Sequence, residues 1–331
     1  MNYVVLDLEW NQPIDGKKME NRSLPFEIIE VGAVLLDDKK QNIKEFSQVI
    51  RPSVYRQMNS FTRNLVQIPP KELRNGRRFV VVMQEFEEWC GDDFIYCTWG
   101  PGDLVELQRN MEYYGMPPIS DGPVAFLDVQ KLFSLYFEGK KDARSLDFAV
   151  NHLGIKTDRP FHRASADAYY TAEVLKRIED EEILKRVSYD TYHIPVSKGK
   201  EIHVDFADYR KYISRGFTEK SALMQDREVI SSRCIVCNKK LRKCVRTFTP
   251  NGKYYLNVAY CEEHGYLKSK IRLKKTDDGR FYAVKTQKFI SPDRVAEIAG
   301  RRAHVNEVRR MKEEMAKHDG RIGKKAGEKG K

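Results

Sequence analysis

Along the first 187 residues, apolar positions switch between a two-residue and a 3.6-residue period, as strands interleaved with helices do. The pattern predicts strands near 2–8, over 27–37 (EIIEVGAVLLD) and over 43–51. Asp37-Asp38 and the two lysines after them form a polar turn between the last two, so the three segments read as an antiparallel meander. FIYCTW (94–99) and VAFLDV (124–129) predict two more strands, and helical periodicity covers 79–90, 103–114, 129–137, 145–153 and 165–180. The fold class is therefore α/β, a mixed central sheet flanked by helices.

The period blurs over 188–228, which reads as a linker with short helical pieces. Residues 229–290 read as a small β-rich domain, with turns at PNGK (250–253) and DDGR (277–280) between runs at 244–249, 254–259, 267–274 and 281–288. Ser291 then caps a C-terminal helix with Pro292 at its first position, running to about His318. The tail after it, within 291–331, is rich in Gly and Lys and is expected to be disordered unless bound. The sequence shows no internal repeat.

Charge divides the chain more sharply than the net of +11 suggests. Residues 1–190 hold 25 Lys+Arg against 31 Asp+Glu, a net of −6, and the remaining 141 hold 34 against 17, a net of +17. An acidic first part and a strongly basic second part point to a polyanion partner, nucleic acid above all. No charged-then-apolar leader opens the sequence, and no apolar run approaches the ~18 residues of a membrane span. The expectation is a soluble cytoplasmic protein without a membrane partner.

Candidate chemistry starts at the end of the first strand, VVLDLEWN, where an apolar run meets Asp7 and Glu9. Residues two apart face one side of a strand, and two adjacent carboxylates repel unless a cation offsets them, although a solvated strand end would look the same. Asp103, in TWGPGD, falls at the start of a helix, where it could also cap it. His162 and Asp167 are five residues apart, roughly 140° around a helix, so they can cooperate only if His162 sits on the entering loop and Asp167 in the first turn.

Asp7-x-Glu9, FEIIEVGAV, TWGPGD with Asp103, and the His162–Asp167 pair come in the order and spacing of the DEDDh exonucleases, which the first 185 or so residues resemble. DLEWN, FTRNLVQIPP and HRASADA are most similar to the Eri-type 3′-to-5′ exonucleases and their bacterial KapD-like relatives. The resemblance implies a ribonuclease H-like fold over 1–187. It also implies two Mg²⁺ or Mn²⁺ ions ~4 Å apart on Asp7, Glu9, Asp103 and Asp167, with His162 as general base. By the same analogy Leu8 and Trp10 stack on or wedge the terminal base. Asn11 stands where relatives carry Cys or Thr, and FTRNLVQIPP lacks the usual TGIT-like core, so no contacts are carried over there. Glu27 and Glu30 are read as structural.

Of six cysteines, Cys90 and Cys97 read as buried thiols. Cys234 and Cys237, then 23 residues, then Cys261 and His264, form a C-x2-C…C-x2-H pattern that predicts a zinc-ribbon-like domain with one structural Zn²⁺. Cys244 lies near enough to substitute for a ligand. Lys240, Arg242, Lys243 and Arg246 lead a set of cations interleaved with aromatics around these knuckles, a composition suited to phosphates and bases. The function expected is 3′-to-5′ exonucleolytic hydrolysis of single-stranded ends, RNA more than DNA. A DNA repair exonuclease and a catalytically silent nucleic-acid-binding regulator are the alternatives.

Overall fold

The computed structural model describes residues 1–139 and 142–327, which form two compact units, 1–193 and 194 onwards. In the first, β1 (Asn2–Asn11), β2 (Glu27–Leu36) and β3 (Asn42–Val49) form the expected meander. Then follow α1 (Ser60–Leu65), α2 (Pro70–Asn75), α3 (Phe79–Cys90), β4 (Phe94–Thr98), α4 (Gly102–Tyr113), β5 (Val124–Asp128), α5 (Val129–Phe137), α6 (Leu146–His152), α7 (Ala164–Lys176), α8 (Glu181–Leu184) and β6 (Ser188–Asp190). The strand order is β3-β2-β1-β4-β5-β6, with β4 and β5 parallel to β1 and the remaining pairings antiparallel. This is the ribonuclease H-like mixed sheet that the resemblance implied.

Side-chain alternation sorts the sheet into two cores. Val4, Leu6 and Leu8 of β1 pack with Val82 and Phe86 of α3 and Leu104 and Leu107 of α4. On the other face Val5, Val34 and Leu36 pack with α5, α6 and the alanine-rich α7. The approach of α7 is close at Gly32, opposite Asp7 in the β1–β2 register. A Cβ at Gly32 would lie 2.1 Å from the Ala164 carbonyl carbon, so the start of α7 rests on bare backbone. Gly32→Ala should therefore destabilise the fold by roughly 3 kcal/mol, read as a lower thermal midpoint. It should also cost about 100-fold in activity, because α7 carries part of the site described below.

The second unit corrects the domain expectation. Residues 188–228 are not a linker: β6 completes the first sheet, and β7 (Ile202–Asp205) and β8 (Arg210–Ile213) belong to the second. Two short helices follow, α9 (Lys220–Gln225) and α10 (Arg227–Ile230). The strands expected beyond 229 appear as β9 (Arg242–Phe248), β10 (Tyr255–Cys261), β11 (Gly265–Lys275) and β12 (Phe281–Ile290), so the sheet is six-stranded, β7-β8-β12-β11-β10-β9, and antiparallel throughout. Strands of four residues such as β7 and β8 carry too few alternations to show a period. Leu223 and Val229 cover one sheet face beside Tyr212, Ile271 and Ala283. Ile298 of α11 (Pro292–Gly327) covers part of the other beside Val245, Phe248 and Val258. That helix runs past His318 to Gly327 rather than giving way to a loose tail, whose last four residues lie outside the described ones. No helix among the described residues is long and apolar enough to cross a membrane.

Candidate active site and metal centres

β1 delivers Asp7 and Glu9 to one face, and a bulge after Glu9 ends the regular register with β2. Each stands opposite a residue of β2 that handles α7: Asp7 opposite Gly32, and Glu9 opposite Glu30. Glu30 is fully buried and accepts hydrogen bonds from Arg163 Nε and Nη2 at 3.0 and 2.7 Å and from the Ala164 N–H at 3.0 Å. Arg163 Nη2 also reaches Glu72 at 2.8 Å. A buried acid and a forked cation thus fasten the first turn of α7 over β1. The structural reading of Glu30 fits this geometry, as that of Glu27 fits its bonds from the N–H groups of Ser53, Val54 and Tyr55.

His162 sits on the loop entering α7 and Asp167 in its first turn, the arrangement their spacing required. His162 has φ 64°, a left-handed conformation that costs a non-glycine residue energy and recurs at functional positions. Its N–H donates to Asp167 Oδ2 at 3.2 Å, and its side chain is exposed. One ligand atom each from Glu9, His162 and Asp167 lie within 4.8 Å of one another. Asp103 arrives at the start of α4, beyond the end of β4, where Gly100 turns the chain with φ 94°. It is buried and accepts the Leu8 N–H at 3.3 Å.

Electrostatics joins the four carboxylates. Burial, then Asp103, Asp167 and Glu9, push Asp7 well above the ordinary carboxylate range. Burial and the neighbouring acids raise Glu9 to about 8, Asp103 to about 7 and Asp167 to about 6. Asp167 Oδ1 is buried without a hydrogen-bond partner. Crowded acids, an orphaned oxygen and a set of oxygen donors fit a hard divalent cation.

The two base-stacking candidates pack against the same core cluster and differ in exposure. Leu8 does not face the site: it is 4% exposed, packed with Val4 and Leu6, and strand alternation turns it away from Asp7 and Glu9. Trp10 is half-buried against Phe26, 5.9 Å between ring centroids, and beside Gly102 at the start of α4. Asn11 has a task that sequence reasoning missed. Its side-chain amide donates to Tyr55 O and Gln57 O at 2.8 and 2.9 Å and accepts the Asn59 N–H at 2.9 Å. Asn59 in turn caps α1, on which Phe61 is 66% exposed. An amide with no apolar partner at a strand end was the available signal.

The Exonuclease (RNase_T) family matches residues 4–175, just over half of the chain. The protein belongs to that family. The exonuclease domain is 27% identical over 133 residues to the DNA polymerase III PolC-type of Streptococcus pneumoniae, covering 40% of this chain and 9% of the relative. It is 26% identical over 154 residues to that of Streptococcus sanguinis, covering 45% and 10%. The chain thus spans about a tenth of the length of these relatives. Among solved structures, the nuclease domain of 3′hExo, a DEDDh family member, bound to rAMP, aligns at 18% identity and TM-score 0.48, covering 56% of this chain and 96% of that one. E. coli exonuclease I in complex with a dA16 oligonucleotide aligns at 12% and 0.46, covering 82% and 54%.

Besides its exonuclease domain, the protein holds a second donor cluster. One atom each from Cys234, Cys237, Cys261 and His264 lie within 4.8 Å. Cys237 and Cys261 Sγ are 3.8 Å apart, the edge of a tetrahedron whose metal–sulfur bonds are about 2.3 Å. His264 Nδ1, 3.6 Å from Cys261 Sγ, brings that thiol down to about 6. The first knuckle turns at Asn238, φ 57°, and the β9–β10 hairpin brings the second alongside. Cys244 lies outside the cluster, exposed on β9. Lys240, Arg242 and Arg246 are exposed, whereas Lys243 is half-buried, donates to Thr247 Oγ1 at 3.2 Å, and is lowered by burial. On β11, Lys268, Lys270, Arg272 and Lys274 share one face, and the register sets Lys288 opposite Lys268.

Proposed function

We propose that this protein is a metal-dependent 3′-to-5′ exonuclease that releases nucleoside 5′-monophosphates from single-stranded 3′ ends, RNA in preference to DNA. The observation that carries the reading is the convergence of Glu9, His162 and Asp167 within 4.8 Å, with Asp7 and Asp103 electrostatically coupled to them. Asp7, Glu9, Asp103 and Asp167 would hold two Mg²⁺ or Mn²⁺ ions, whose chemistry is to neutralise charge on the attacking and leaving oxygens.

His162 takes a proton from the attacking water, whose oxygen bonds to the terminal phosphorus. The P–O3′ bond breaks, the O3′ on the shortened strand takes a proton from solvent, His162 returns its proton to solvent, and a nucleoside 5′-monophosphate is released. Glu30 and Arg163 keep His162 and Asp167 in place, and Trp10 offers a face to the terminal base. Cys234, Cys237, Cys261 and His264 hold one Zn²⁺ with no open position, a structural rather than catalytic ion. The basic second unit, with Lys240, Arg242 and Arg246 exposed, adds sequence-independent affinity for phosphates, to which half-buried Lys243 contributes less.

A 5′-labelled single strand should shorten from its 3′ end in Mg²⁺ or Mn²⁺ and stay intact in a chelator. RNA should disappear faster than DNA of the same sequence. The similarity to PolC-type DNA polymerases favours DNA as the second reading, and faster loss of the DNA strand would select it.

A further inference from the structure

β1 does not end at the site. Beyond Asn11 the chain enters Pro13, where a cavity of about 390 Å³ opens between the loop after β1 and residues 54–57. That is within the size range of small-molecule sites. Pro13, Ile14, Met19, Val54 and Tyr55 give it a largely apolar wall, and Asp15 and the exposed Arg56 add opposite charges. Ile14 is 52% and Met19 66% exposed, two large apolar side chains on one loop.

The walls are held from several directions. The Tyr55 hydroxyl donates to Leu24 O at 2.8 Å and accepts the Asn21 N–H at 2.9 Å. Asn11 holds Tyr55 and Gln57 by their carbonyls, and Asn59 Nδ2 holds the Pro13 carbonyl at 2.8 Å. The cavity is therefore preformed, and the same strand that carries Glu9 positions it. Four residues of chain keep the Cα of Pro13 within about 14 Å of that of Glu9.

Resting on the nuclease reading above, we infer that this cavity receives an unpaired base of the substrate strand, roughly two to four nucleotides from the 3′ end. The distance of about 14 Å is an upper limit, so a stacked rise of about 3.4 Å per nucleotide makes the fourth nucleotide the farthest position, and the terminal base is left to Trp10. Every base has an apolar π-face suited to such a wall, and Arg56 can stack on the base or meet its phosphate. A base held in a duplex must first give up its pairing and stacking, about a few kcal/mol, to enter, so the cavity favours single strands whether the sugar is ribose or deoxyribose.

The test reads binding without turnover: fluorescence anisotropy of the full chain with a single-stranded oligonucleotide in Ca²⁺, scanned with one abasic site at a time. One position among the second to fourth from the 3′ end should weaken binding about 10-fold when its base is removed. Ile14→Asp and Met19→Glu, both at exposed positions, should lose a similar factor with the intact strand and show no further penalty at that abasic position. Their thermal midpoints should match the parent, and so should their hydrolysis of a dinucleotide in Mg²⁺ when the sensitive position is the third or fourth, which a dinucleotide lacks. An abasic scan without a position-specific penalty, or a penalty the two variants leave intact, overturns the inference. Failure of the parent to cleave the dinucleotide overturns the nuclease reading instead, and the binding scan still decides the cavity.

Discussion

Asp7→Asn is expected to abolish hydrolysis and, at the same time, to make the metal-free protein harder to unfold. Replacing an anionic carboxylate ligand by a neutral amide removes several kcal/mol of transition-state stabilisation, at least about 1,000-fold in rate. The stability gain follows from the crowding of acids. Glu9 at about 8, Asp103 at about 7 and Asp167 at about 6 all sit above their unfolded values, so the folded state binds more protons than the unfolded one between pH 4 and 8. Stability of the metal-free protein is then highest near pH 4 on this account and is lost as pH rises to about 8. Asparagine at position 7 removes the charge that its neighbours feel, and should recover part of that lost stability at pH 8. Thermal melts at pH 6 and pH 8, with and without Mg²⁺, check the sign. The parent should gain from alkaline-side Mg²⁺ far more than the variant does. A variant less stable than the parent at pH 8 without metal would mean that the carboxylates do not strain one another.

The second large effect lies in the other unit. Elemental analysis should find about one zinc per chain, and Cys234→Ser should unfold the second unit while the first keeps its own transition. A structural zinc contributes about 10–16 kcal/mol of apparent folding free energy in small domains at pH 7, more than a sheet of this size can lose. Cys234 is buried and Cys261 ends β10, so a bound ion would join the segment before β9 to the β10–β11 turn. Hydrogen exchange should show protection lost over β9 to β11 and retained over β1 and β2. Dinucleotide hydrolysis should survive, and binding of long strands should weaken. Loss of protection throughout the chain would contradict the division into two independent units.

The parts legible in the sequence were those whose signal is local. The run 27–36 is apolar enough to name itself a buried strand, and the helices over 79–90 and 129–137 show a clear period. Asp7, Glu9, Asp103, His162 and Asp167 could be read together only through the resemblance to the DEDDh exonucleases, since taken singly they also fit a solvated strand end, a helix cap and an exposed loop. What stayed hidden depended on partners far along the chain. Asn11 looked like a departure until its three backbone partners at 55–59 were seen. Leu8 could be assigned to a face only once α3 and α4 were placed against it. β8 is a strand because β12 offers it an edge, β7 because β8 does, and nothing within IHVD or RKYI says so.

The seat of α7 on Gly32 has a consequence for how the protein comes into being. Asp7 and Asp167 are 160 residues apart, and the helix bearing the second docks on a strand made long before it. Domains fold as units while the ribosome adds some 5–20 residues per second. For several seconds, then, the nascent chain holds Asp7, Glu9 and later Asp103 without His162 or Asp167. During that interval it can neither complete the proposed metal site nor supply the proposed general base. On the nuclease reading proposed above, the emerging chain stays inert until its first unit is complete.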